Sequence, residues 1–211
     1  MFDYGYWLLF LSAAFALSIS PGPDVVYILT KTISSGKKIG IASSLGVCTG
    51  ALFHLVLASI GISAILVTSA YAFMFIKYIG ASYLLYLAFK SFKSAGTNLQ
   101  ISGLKKEKES IWKAFKQGVL IDVLNPKVAI FFMAFLPQFV REGHGSVSTQ
   151  LFYLGFLVIC VGIVVEAIYV LLASKLTHKL RNSKRFSVWL DRLVGTIFVT
   201  LGLKLATTTN N

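Results

Sequence analysis

The sequence predicts an all-α, polytopic membrane protein: six transmembrane helices forming two inverted three-helix repeats, in one domain over residues 1–211. Three observations carry this. The composition is 56% hydrophobic and the mean hydropathy is +0.76, more apolar surface than a soluble domain of this length needs. Several apolar stretches run about 20 residues or more, enough to cross a hydrocarbon core of about 30 Å. Two of them are interrupted by proline at corresponding places, in Ser20-Pro21-Gly22-Pro23-Asp24 and in Asp122-Val123-Leu124-Asn125-Pro126-Lys127.

The segments are expected at Tyr4–Thr30, Ile39–Val67, Ala70–Phe92, Lys113–Val140, Gln150–Ala173 and Ser187–Ala206. Repeat one covers about 4–92 and repeat two about 113–206. Between them, Lys93–Trp112 is rich in Lys, Ser, Gly and Glu and reads as a cytoplasmic linker. Residues 1–6 hold no Lys or Arg, so the first segment lacks the positive flank of a cleavable signal and is expected to remain a helix. Tyr4, Tyr6 and Trp7 read as an outer aromatic belt. Phe131, Phe132, Phe135 and Phe139 read as core or lipid-facing residues. Gly46-x-x-x-Gly50 is a small-residue face for close helix packing. His144 falls in a loop and has no expected role.

The net charge of +12 does not form a nucleic-acid patch. Of the 20 Lys and Arg residues, 16 lie around the loops after segments 1, 3 and 5, while the intervening loops hold only Lys77 and Arg141. By the positive-inside rule the odd loops face the cytoplasm and both termini lie outside. The basic inner face should attract anionic lipid headgroups. Cys48 and Cys160 both sit in apolar segments, which excludes an extracellular disulfide framework.

The halves repeat. Ser20-Pro21 matches Asn125-Pro126, Cys48-Thr-Gly50-x-x-x-His54 matches Cys160-Val-Gly162-x-x-x-Glu166, and Tyr78-Ile-Gly80 matches Leu193-Val-Gly195, at offsets of 105, 112 and 115 residues. Three segments per half is an odd number, so the second half enters the membrane inverted. Paired helix breaks in such repeats are the best sequence pointer to a transporter's binding site.

Pro21 lies ten residues before Lys31, and Pro126 ten residues after Lys116. At about 1.5 Å per residue each break is near mid-membrane. Asn125 then Pro126 is the favoured N-cap and first-position order for starting a helix. Ser20 then Pro21 has the same form, with Gly22 to turn the backbone. Each half-helix would then point free N–H groups inward, a seat for a carboxylate. Pro21, Gly22, Pro23, Asp24, Asp122, Asn125, Pro126 and Lys127 are therefore the candidate substrate-binding residues. Charge in the bilayer centre costs about 2.5–3.5 kcal/mol per residue on insertion scales, yet Asp24, His54, Asp122, Lys127 and Glu166 all lie in apolar segments. Lys127 either pairs with Asp122 or Asp24 or contacts substrate. Asp122, His54 and Glu166 are the candidates for proton coupling. No cofactor and no metal ligand set is expected.

Ser-Pro-Gly-Pro-Asp followed by Gly46-x-x-x-Gly50-x-x-x-His54 resembles the LysE/RhtB family of amino-acid exporters. Leu124-Asn125-Pro126-Lys127-x-Ala129-x-Phe131-Phe132, running into Leu136-Pro137-Gln138-Phe139, is similar to that family's second signature, and Tyr78-Ile-Gly-Ala-Ser-Tyr-Leu-Leu-Tyr-Leu fits its third helix. The resemblance covers nearly the whole chain. It implies a multi-pass protein of the bacterial inner membrane, a transporter rather than an enzyme, exporting homoserine, threonine or another neutral amino acid by proton antiport. Family members often carry Asn where Asp24 stands, and frequently Asn near Asp122. Partners are then an amino-acid substrate, protons and membrane lipids, with a homodimer admissible and nucleic acid not expected. Alternatives are a divalent-cation exporter of related fold, a membrane thiol-redox protein using Cys48 and Cys160, and a non-transporting scaffold.

Overall fold

The computed structural model describes residues 3–62, 70–93, 109–175 and 184–207, and every regular element among them is helical. Most of the expected linker and the loop at 63–69 lie outside the described residues, as do Lys179 and Arg181. α1 is Tyr4–Ile19, α2 Pro23–Ser35, α3 Lys37–Leu57, α4 Ala70–Lys93, α5 Ile111–Val123, α6 Pro126–Ile130, α7 Val147–Lys175 and α8 Lys184–Thr207. A π turn, Ala58–Ile62, extends α3; a π turn, Phe131–Phe135, and a 3-10 turn, Leu136–Phe139, extend α6.

Local chemistry sets the ends. Asp3 Oδ1 accepts the Tyr6 N–H at 3.1 Å and caps α1. Gly36, at φ 90°, ends α2 and starts α3, a backbone conformation only glycine adopts without strain. Pro137 has no N–H to give to an α-helical turn, and the chain there winds as a 3-10 turn before it straightens at Val140.

The two proline breaks are real bends, of 52° between α1 and α2 and 48° between α5 and the α6 segment. The first differs from expectation. Gly22, not Ser20, is the N-cap, and Pro23, not Pro21, is the first helical residue. Ser20 instead ends α1, its N–H bonded to the Ala16 carbonyl. With two prolines in three residues, helix cannot restart until the second. Gly22 itself is extended, at φ −130° and ψ 179°, so its glycine is needed for space rather than for turning.

Lys37–Gly61 and Val147–Ser174 are each long and apolar enough to cross a membrane, and each bent pair passes the same test when counted as one span. Large apolar side chains such as Leu8, Phe15, Phe53, Phe75, Phe89 and Val164 face outward, as lipid-facing residues do and as few soluble surfaces could. The protein is a multi-pass membrane protein. That test, made on the described residues, does not return α4 and α8. They pack antiparallel against each other: a Cβ at Gly195 would meet the Phe92 ring, and one at Gly202 would meet Leu85 and the Ala81 carbonyl.

The main core gathers Phe10, Ala13, Ala14, Phe131, Phe132, Phe135, Leu136, Phe139, Leu151 and Phe198. The four phenylalanines of the α6 segment are thus core. The outer belt is only partly as expected: Tyr4 is exposed, whereas Tyr6 hydrogen-bonds to the Phe139 carbonyl at 2.7 Å. Trp7 packs on the core. The most extensive contact between helices is α3 against α5. It is a backbone contact: a Cβ at Gly46 would meet the Phe115 carbonyl, and one at Gly118 would lie 2.5 Å from the Ser43 carbonyl. Gly46-x-x-x-Gly50 is the packing face its spacing predicts.

Candidate functional site

Breaking a helix in an apolar interior frees carbonyls at the end of one half and N–H groups at the start of the next, and each group left unpaired is costly. Donor side chains from other elements meet the carbonyls. Lys127 Nζ donates to Leu17 O and Ser20 O, both at 3.1 Å, at the end of α1. The same ammonium pairs with Asp24, at 2.9 Å from Oδ2 and 3.1 Å from Oδ1. Tyr169 from α7 donates its hydroxyl to Ile19 O at 3.0 Å. At the second break, His54 Nε2 donates to Asp122 O at 3.0 Å, and the Asn125 N–H reaches the same carbonyl at 2.9 Å.

The N–H ends differ between the two breaks. Asn125 Oδ1 accepts the Lys127 N–H at 3.1 Å. Asp24 stands in the first turn of α2, where a carboxylate suits the positive helix end. At the second break a protein oxygen thus fills one of the N–H positions expected to lie open, whereas the start of α2 carries no side-chain cap. Lys127, 3% exposed, is the hub of the site. It starts in α6, closes the end of α1 and neutralises the first acid of α2. The expected repeat would match it with Gly22. A Cβ there would lie 2.9 Å from Lys127 Nζ, so the ammonium occupies the space that a side chain at Gly22 would need.

A cavity opens beside the breaks, lined by Leu17, Ser18 and Asp24 from the first, Asp122, Val128 and Phe132 from the second, Val47, Cys48 and Ala51 from α3, and Val158, Ile159, Gly162 and Glu166 from α7. The space open to the centre of a water molecule is about 40 Å³. About 10–15 Å³ holds one water, so this conformation has room for a few waters and not for a whole amino acid. Three acids face it in three different states. Asp24 is paired with Lys127. Glu166 Oε2 accepts from Ser44 Oγ at 2.6 Å and from Cys48 Sγ at 3.4 Å. Asp122, 1% exposed, has a buried Oδ2 with no hydrogen-bond partner.

The structure thus brings Asp24, Asp122 and Glu166 together at one cavity. His54 is buried between Phe53 and Phe132 and faces the Asp122 carbonyl rather than its carboxylate. Pro21, Pro23 and Pro126 shape the breaks. Both cysteines are free thiols, and Cys48 faces the cavity. Among the described residues no three His, Cys, Asp or Glu side chains converge as metal ligands. The sequence reading missed Ser44, Ser18 and Tyr169. Ser44 had a signal, since it stands one helical turn before Cys48 on the same face.

Residues 15–209 match the family of LysE type translocators. The chain belongs to that family. The homoserine/homoserine lactone efflux protein of Salmonella typhimurium (strain LT2) is 29% identical over 203 residues, covering 96% of this chain and 97% of that protein. An uncharacterised membrane protein of Bacillus subtilis (strain 168) is 30% identical over 208 residues, covering 93% of this chain and 96% of its own. A further uncharacterised membrane protein, from Vibrio cholerae, is 29% identical over 205 residues, covering 97% and 98%. No solved structure matches. As a LysE type translocator the chain is a transporter and not an enzyme.

Proposed function

We propose that this LysE translocator exports a small amino acid with an uncharged side chain, homoserine, threonine or a close relative, across the bacterial inner membrane in exchange for protons. The observation that carries the site assignment is Asp122: a buried carboxylate on the cavity wall with one oxygen unpartnered. An α-ammonium group from a substrate, or a proton, satisfies it. The apolar remainder of the wall, Val47, Ala51, Val128, Phe132, Val158 and Ile159, suits a short uncharged side chain. The substrate carboxylate goes to the two half-helix starts around Lys127, where Asp24 and the Asn125 amide oxygen now stand in for it. Glu166 and Asp122 share the coupling proton. Both carboxylates line the cavity, whereas His54 faces the Asp122 carbonyl.

Packing supports inverted repeats of three spans, with α4 and α8 completing the six. α3 lies along α5, and α7 lies along α1 and α2. α3 pairs with α7, and α4 with α8. Exchanging the two halves maps each of these contacts onto another or onto itself.

Purified protein in liposomes preloaded with labelled homoserine, threonine, leucine or lysine tests the reading. Efflux of a neutral amino acid is expected, faster with an imposed pH gradient. Asp122→Asn is expected to lower gradient-driven efflux at least about tenfold, a loss of about 1.4 kcal/mol, with the protein still folded. Efflux unchanged in Asp122→Asn would sink the assignment of that residue. Efflux of none of the four from folded protein would sink the cargo.

A further inference from the structure

The two bent helix pairs run antiparallel, and each end of the pair is fastened by the same set of groups. At one end Arg141 Nη2 holds Asp3 Oδ2 at 2.7 Å, its guanidinium lies 3.7 Å from the centre of the Tyr6 ring, and the Tyr6 hydroxyl donates to Phe139 O at 2.7 Å. At the other end Lys31 Nζ holds Glu109 Oε1 at 2.6 Å, its ammonium lies 5.6 Å from the centre of the Tyr27 ring, and the Tyr27 hydroxyl donates to Ala114 O at 2.7 Å. The sequence order is the same in both halves. An acid precedes each bent pair, Asp3 and Glu109, and a base stands at its far end, Lys31 and Arg141. Inversion of the second half then sets each acid against the other half's base. The cavity, lined from both breaks, lies between the two fastenings.

We propose that these two sets are the gates of the transport cycle, with Asp3, Tyr6 and Arg141 closing one face of the cavity and Lys31, Tyr27 and Glu109 closing the other, released in alternation. The proposal rests on the transporter reading above. Each gate has one ion pair, one ring–cation contact and one hydroxyl–carbonyl bond. The Asp3–Arg141 pair is partly exposed, and such pairs are weak, whereas Lys31–Glu109 is more deeply buried and is the firmer of the two. Releasing the first set also parts the Tyr6 and Phe139 rings, whose centres lie 5.5 Å apart. The Asp3 set is tied into the following loop as well: Gln150 Oε1 accepts the Arg141 N–H, and Gln150 Nε2 donates to Arg141 O, both at 2.9 Å. Opening that gate therefore moves the start of α7 with it.

Cys48 is a reporter already in place, because it lines the cavity. In a Cys160→Ser background, a membrane-impermeant maleimide is applied to vesicles of each orientation. Asp3→Asn with Arg141→Gln is expected to speed labelling of Cys48 several-fold from the Asp3 face and to slow it from the Lys31 face. Glu109→Gln with Lys31→Gln is expected to do the reverse. Exchanging the charges, Asp3→Arg with Arg141→Asp, should restore the original rates. A second reporter, Gly162→Cys in a Cys48→Ala background, reads the same cavity. The added Cβ there has 3.8 Å to Ser18 Oγ. Labelling changed from the same face by both gate variants, or changed by neither with either reporter, overturns the proposal. The readout needs no substrate. Sided labelling without amino-acid efflux would keep the gates and remove the cargo, and efflux without sided labelling would do the opposite.

Discussion

Among single residues Lys127 has the largest consequence. Its ammonium is shared between the Asp24 carboxylate and two carbonyls at the end of α1. Removing one partner of a buried pair leaves the other charged and alone, at a cost of about 3–5 kcal/mol. Lys127→Met and Asp24→Asn should each lower the unfolding temperature in detergent, and the double variant should recover much of the loss. Additive losses in the double variant would show that the two do not act as a pair. Gly22→Ala should mimic Lys127→Met in part, since the new methyl group takes the ammonium's place. Asp3 supplies a contrast in pH. The Tyr6 N–H, and then Arg141, hold its carboxyl below the usual 3.8. A group depressed in the folded state stabilises above its unfolded pKa and loses that effect only as pH falls through the folded value. The ion pair at Asp3 should thus survive from pH 8 to pH 5, and labelling of Cys48 from the Asp3 face should be flat over that range apart from the thiol's own reactivity. A rise centred between pH 5 and 8 that vanishes in Asp3→Asn would contradict this. The sequence marked Lys127 and the acids as costly and therefore used, but it left Lys127's partner open. Pairing across more than a hundred residues depends on how the breaks face each other, which no local pattern encodes.

Among elements, the second break was legible and the first only half so. Asn125-Pro126 carries its own cap, and α6 begins at Pro126 with that cap formed. At the first break two prolines compete, and the structure takes the later one. Asn125→Ala should cost about 1 kcal/mol of stability, as lost N-caps do, and should weaken substrate binding by more than that. Equal losses would reduce the break to a kink that merely fits its neighbours. The α3–α5 contact makes a sharper demand. At Gly118 a Cβ would meet the Ser43 carbonyl at 2.5 Å and the Val47 nitrogen at 3.1 Å, and backbone atoms cannot swing aside. Gly118→Ala should push the two helices apart and cost about 1–3 kcal/mol, while Gly61→Ala, where nothing lies within 4 Å, should be neutral. Comparable melting of the two variants would show that the close approach is not tight. The glycine spacing in α3 pointed to a packing face, but its partner emerged only from the fold.

At the scale of the whole molecule, length and apolarity already specified a helical membrane protein, and the matched breaks divided its sequence into two halves. How those halves interlock was hidden, because lipid-facing and core-facing positions are both apolar and no periodicity separates them. The fold resolves this by interleaving. The contacts of α3 with α5 and α7, of α1 and α2 with α7, and of α4 with α8 all run between halves, and within the first half α2 against α3 is the main contact. Neither half therefore buries its own core: Phe10 and Ala13 of α1 sit in one cluster with Phe131, Leu151 and Phe198. The covalent linker contributes mainly effective concentration, a term that varies slowly with chain length. Residues 1–100 and 101–211 made as two separate chains in one cell should accordingly assemble and restore part of the efflux, while either alone should be degraded. The pair should also copurify when only one carries an affinity tag. A first half that accumulates stably by itself would mean that it has a core of its own, and the interleaved packing would then be a secondary contact rather than what holds the molecule together.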